Sequence, residues 1–166
     1  MLLAIECCVF CMIFAVIIML TQYKNPVKYI MSYPPEIRKR VELLPEYKNS
    51  IKKTEKKHII MKLIAVLVFI ILLSTVAYFS GANTFKTAFL HVFILFFSVN
   101  LFDLIVLDIG VFCHSKKLRL PGTEDMDNEY KNYLFHIKGA LKGIVLGILI
   151  SLLSASIIYL FSIIKS

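Results

Sequence analysis

Four apolar runs of roughly 20 residues each dominate this chain, and at a rise of about 1.5 Å per residue each one matches the hydrocarbon thickness of a bilayer. They cover about residues 2–20, 59–79, 85–112 and 139–164. Runs of this kind must be helical, because backbone N–H and C=O groups that face lipid find partners only within their own segment. The many short alternating segments of a closed membrane barrel are missing from the sequence. Hydrophobic residues make up 58% of the 166 residues, and the mean hydropathy is +0.77. That is more apolar surface than one soluble domain of this length can hide. The expected fold class is therefore all-α: one polytopic membrane domain over residues 1–166, built as a four-transmembrane-helix bundle with a short amphipathic juxtamembrane helix.

The first run is expected to stay in place as a span. No basic segment precedes it, and no small-x-small cleavage site follows Leu20, where the chain reads Thr21-Gln22-Tyr23-Lys24. Lys and Arg then set the orientation, since they accumulate on the cytoplasmic side. The connector at about 21–58 carries Lys24, Lys28, Arg38, Lys39, Arg40, Lys48, Lys52, Lys53, Lys56 and Lys57, and the one at about 113–138 carries Lys116, Lys117, Arg119, Lys131 and Lys138. The opposite side has only Lys86 and Lys165. The chain reads as a multi-pass protein of the cell membrane with both main loops cytoplasmic and both termini outside. On this reading the net charge of +8 is a topology signal and not a nucleic-acid footprint.

Within the first loop, Tyr33-Pro34-Pro35-Glu36 marks a helix start and Pro45 is expected to end that helix. Ile37, Val41 and Leu44 recur at helical spacing, with Arg38, Lys39 and Arg40 supplying a basic side that suits an anionic leaflet. In the fourth span, Gly139, Gly143, Gly147 and Ser151 fall at every fourth position. Such a row lets another helix approach closely, either from the same chain or from a membrane partner or homodimer.

The third span contains His91, Asn100, Asp103 and Asp108. A carboxylate in hydrocarbon costs a few kcal/mol, so it is kept facing protein. At about 100° per residue, Asn100, Asp103, Gly110 and His114 share one stripe while Asp108 lies on another. Beyond the span, Thr123 reads as a helix N-cap, and Asp125, Glu129 and His136 follow roughly one stripe towards the fourth span, a stripe that faces His114 and Asp108 if spans three and four are antiparallel neighbours. Asp103, Asp108, His114, Glu129 and His136 are thus candidate acid–base groups. His114, Glu129 and His136 are in addition candidate ligands for a divalent metal as cofactor, because imidazole and carboxylate suit both roles. Lys116, Lys117, Arg119, Arg38 and Arg40 are the candidates for a lipid headgroup. The spacing matches no His-Glu-x-x-His, Gly-rich phosphate loop or Gly-x-Ser-x-Gly elbow. Cys8 and Cys11 form a Cys-x-x-Cys in span one, but the outer turn lacks the second cysteine pair that a thiol relay requires.

Three functions fit this reading. The first is an accessory or scaffold subunit that binds a partner or anionic lipid through its basic loops. The second is a membrane-embedded enzyme acting at the cytoplasmic leaflet on a lipid-linked or amphiphilic substrate. The third is a small oligomeric transporter coupled to protons through Asp103.

Overall fold

The computed structural model describes residues 2–24 and 26–165, with the side chains of residues 48–59 outside the description. The loop lysines Lys48, Lys52, Lys53, Lys56 and Lys57 fall in that undescribed stretch. All regular structure among the described residues is helical, and four helices are long and apolar enough to cross a membrane. In chain order, α1 is Leu2–Lys24, α2 is Pro35–Leu43, α3 is Pro45–Phe79, α4 is Phe85–Phe102, α5 is Asp127–Tyr130 and α6 is Tyr133–Lys165. Short 3-10 turns fill Pro26–Ser32 and Lys116–Leu118.

Local chemistry explains most of these boundaries. Pro35 opens α2, where its missing N–H costs no hydrogen bond. That helix ends ahead of Pro45, as its ring suggested in the sequence: α2 stops at Leu43, Leu44 turns extended (ψ 122), and Pro45 also opens the 35-residue α3. The residue before a proline is pushed out of the α region, so one proline both closes one helix and starts the next. At the other end of α3, Gly81 takes φ 86 and turns the chain. Thr84 then caps α4 through a reciprocal box, its Oγ1 accepting from Thr87 N at 3.3 Å.

Beyond Phe102, α4 continues without a break into a π-helical stretch, Asp103–Phe112. Its hydrogen bonds close over five residues, as in Cys113 N to Asp108 O at 3.0 Å, so residues five apart share a face. This overturns the stripe drawn at α-helical pitch, because Asp103 and Asp108 come to the same side of the helix.

α4 is the central helix and touches α1, α3 and α6, with its widest packing against α6. Ala88, Val92 and Leu95 of α4 meet Leu73 and Ala77 of α3 and Ile150, Ala155 and Ile158 of α6 in one buried core. Gly143 and Gly147 allow that approach: a Cβ at Gly143 would strike Asn100, and one at Gly147 would come within 2.5 Å of Phe96. Ser151 is fully buried, whereas a Cβ at Gly139 would meet nothing within 4 Å. At Gly143 and Gly147 the row therefore faces α4 of the same chain.

The two long connectors lie at the same end of the bundle and fold together into a cap with its own core. Ile30, Tyr33, Ile37 and Val41 from the first connector interleave with Leu118, Leu120 and Tyr130 from the second, over Phe112 and Cys113. Ile37 and Val41 are wholly buried there, so the apolar face of α2 is turned into protein and not towards a leaflet.

Candidate functional site

Tyr33 holds the cap together. Its ring meets Phe112 edge-on at 4.8 Å and Tyr130 at 6.0 Å, and its hydroxyl donates to Leu118 O at 3.0 Å across 85 residues of sequence. Burial pushes this phenol above its ordinary pKa of 10.0. The Tyr130 hydroxyl accepts from Leu120 N at 2.9 Å and shares a 2.8 Å hydrogen bond with Thr123. Thr123 is thus not a helix cap: its own hydroxyl donates to Leu120 O at 2.6 Å, and the next helix begins only at Asp127. Gly122 turns the chain just before it with φ 83, and its backbone amide donates to Glu124.

Beneath the cap sits the cluster that the π-helical pitch creates. His136, in the first turn of α6, holds its Nδ1 3.1 Å from Asp108 Oδ2. Its ring is wedged between Phe112 and Phe135 at 5.2 and 5.3 Å. The Cys113 thiol and the Asp103 carboxylate lie close by. His136 is 4% exposed, and Nε2 has no hydrogen-bond partner among the described residues. A carboxylate on one imidazole nitrogen with the other nitrogen free is the arrangement of an oriented acid–base group. Further in, Asn100 Nδ2 donates to Ala140 O at 3.2 Å and ties α4 to α6.

The other sequence candidates are placed elsewhere. His114 turns back to its own helix, its Nδ1 donating to Ile109 O at 2.9 Å. Glu129 sits partly exposed on the four-residue α5, which Lys131 and Asn132 separate from α6, so Asp125, Glu129 and His136 do not form one stripe. Asp125 instead pairs with Arg40 at 2.6 Å on the surface. Among the described residues, no group of three His, Cys, Asp or Glu side chains is arranged to hold a metal ion. Arg119 is folded inward: its guanidinium lies 3.9 Å over the Tyr130 ring, donates to Cys113 O at 3.1 Å and meets Asp127 at 3.2 Å. Its Nε and Nη1 are buried without a partner among the described residues. Arg38 is partly buried, while Lys116 and Lys117 are exposed.

A second buried cluster lies at the opposite end, beside the Ser80–Thr84 turn, and the sequence reading passed over it. Glu6 of α1 accepts from His91 Nε2 of α4 at 2.7 Å, with side-chain exposures of 14% and 11%. Ser80 Oγ donates to the other Glu6 oxygen. The signal was present in the sequence. Glu6 and His91 each stand a few residues inside the same end of their spans, so two parallel helices carry them to the same depth.

The four cysteines are free, with Cys8 exposed and Cys7, Cys11 and Cys113 at least partly covered. No protein-family model, curated protein or solved structure matches this chain.

Proposed function

We propose that this chain is a four-span membrane protein that serves as a non-catalytic accessory subunit, holding a rigid basic platform against the anionic cytoplasmic leaflet. The observation that carries this reading is how the cap sorts its side chains. Both loops turn their apolar residues into one shared core and leave Lys28, Lys39, Lys116, Lys117 and Lys131 exposed. Each such cation near an anionic leaflet contributes about 1 kcal/mol of attraction, and a prefolded cap loses little conformational entropy when it engages. The positive-inside pattern puts these lysines on the cytoplasmic side. The test is lipid analysis of protein purified from native membranes in mild detergent. Wild type should retain anionic phospholipid, and a Lys39→Glu, Lys116→Glu, Lys117→Glu variant should lose most of it. Equal anionic lipid in the two preparations would remove the platform role.

One observation favours a second reading, an enzyme at the cytoplasmic leaflet. The Asp108–His136 pair leaves an imidazole nitrogen without a partner among the described residues, which suits acid–base work on an amphiphilic substrate. Incubating the purified protein with a native lipid extract should then deplete one lipid class, and His136→Gln should stop the depletion. An unchanged lipid profile with wild type would eliminate catalysis on lipids.

A further inference from the structure

At the turn end, α3 and α6 leave between them a groove of about 260 Å³ lined by Ser74, Thr75, Tyr78, Ile158 and Phe161, among others. A second hollow of about 320 Å³ adjoins it at Tyr78 and is lined by Asn83, Ser162 and Lys165. Neither takes part in the cap or in the Asp108–His136 cluster. Their polarity is graded along α6. Lys165 stands at the mouth, its Nζ donating to the Tyr78 hydroxyl at 3.3 Å, and Ser162 comes one turn deeper. Ile158 lies a further turn down, about 10 Å from Lys165 at the helical rise. Ser74 lines the floor; it is 8% exposed, and its hydroxyl has no hydrogen-bond partner among the described residues. The same holds for the buried Ser162 hydroxyl.

We infer that this groove is a binding site for one anionic phospholipid of the leaflet at the turn end. From Lys165 through Ser162 to Ile158, the order of cation, hydroxyl and apolar wall repeats the order of phosphate, ester and acyl chain in such a lipid. Lys165 supplies the charge complementarity. The Ser162 hydroxyl, unpartnered among the described residues, suits an ester carbonyl, which accepts hydrogen bonds and donates none. Thr75, which donates to its own helix at Ile71 O at 2.8 Å, leaves its methyl group to the groove.

Native mass spectrometry of the full chain carrying Lys39→Glu, Lys116→Glu and Lys117→Glu, which removes the platform cations, tests the site after release from micelles of equal phosphatidylglycerol and phosphatidylcholine. This background should keep one phosphatidylglycerol, retained about fivefold better than phosphatidylcholine, as one lysine near the headgroup implies. Adding Lys165→Gln should erase that preference. Adding Thr75→Trp, at an exposed position that fills the groove and spares the buried core, should remove the bound lipid of either kind. With the platform lysines absent throughout, failure of the groove and failure of the platform give different results. Equal retention of both lipids by the background chain, an adduct unaffected by Lys165→Gln and Thr75→Trp, or a two-chain species in place of the lipid adduct would overturn the assignment.

Discussion

The two ends of this bundle meet the same problem, ionisable groups inside an apolar structure, in different ways. At the cap end, Asp108 and His136 are roofed by a folded layer whose core draws on both connectors. At the turn end, Glu6 and His91 lie beside a five-residue turn, and Ser80 at its start supplies a further hydrogen bond to Glu6. The difference follows from connector length. A short turn can add a donor, whereas two long loops can build a second core that fixes the orientation of an imidazole.

The contrast can be broken most severely at Tyr130. Replacing it with alanine removes a buried aromatic, two hydrogen bonds and the stacking surface for Arg119, and should cost about 3–5 kcal/mol. Limited proteolysis should then cut the cap loops quickly while the four spans stay protected. A cap as resistant as wild type would show that the roof does not depend on its core.

His136→Leu leaves the Asp108 carboxylate without its partner and should cost about 1–3 kcal/mol in thermal unfolding in detergent. A neutral result would mean that water satisfies Asp108 as well as the imidazole does.

Alkaline pH sharpens the comparison. Burial raises the Tyr33 pKa, so the folded cap holds that proton more tightly than the unfolded chain does. The stability this provides is complete below pH 10, and above it falls by about 1.4 kcal/mol per pH unit as the unfolded phenol ionises. Tyrosinate absorbance should appear together with cap opening, and Tyr33→Phe should shift the opening to higher pH. A phenol that titrates normally while the cap stays closed would contradict the burial.

The smallest effect is expected at the turn end. Glu6→Gln keeps a hydrogen-bonding group and should cost only about 0.6 kcal/mol, the average for polar contacts between membrane helices. Cross-linking between cysteines placed on α1 and α4 should report it, and a complete loss of the α1 contact would make this pair the main fastening of α1.

The four long apolar helices were legible in the sequence because composition and length are visible residue by residue. The start of α2 was legible as well, since proline fixes its own φ whatever surrounds it. The site was only partly legible. The facing of Asp108 and His136 across the third and fourth helices is legible from the sequence, but Asp103 falls on a different stripe from Asp108 at α-helical pitch, because their common side depends on five-residue hydrogen bonds in Asp103–Phe112 and nothing in that run announces a change of pitch. His114 and Glu129 shared the right chemistry and were placed elsewhere by helix ends that the sequence drew wrongly.

By itself, then, the sequence determined which segments are apolar enough for a bilayer and where the prolines force the chain to turn. The tertiary structure decided what the polar residues do, pairing Asp108 with His136, Glu6 with His91, and the first connector with the second. The reason is range: hydrophobic length and proline geometry act within a single segment, whereas a hydrogen bond or a shared core forms only between segments that folding has already brought together.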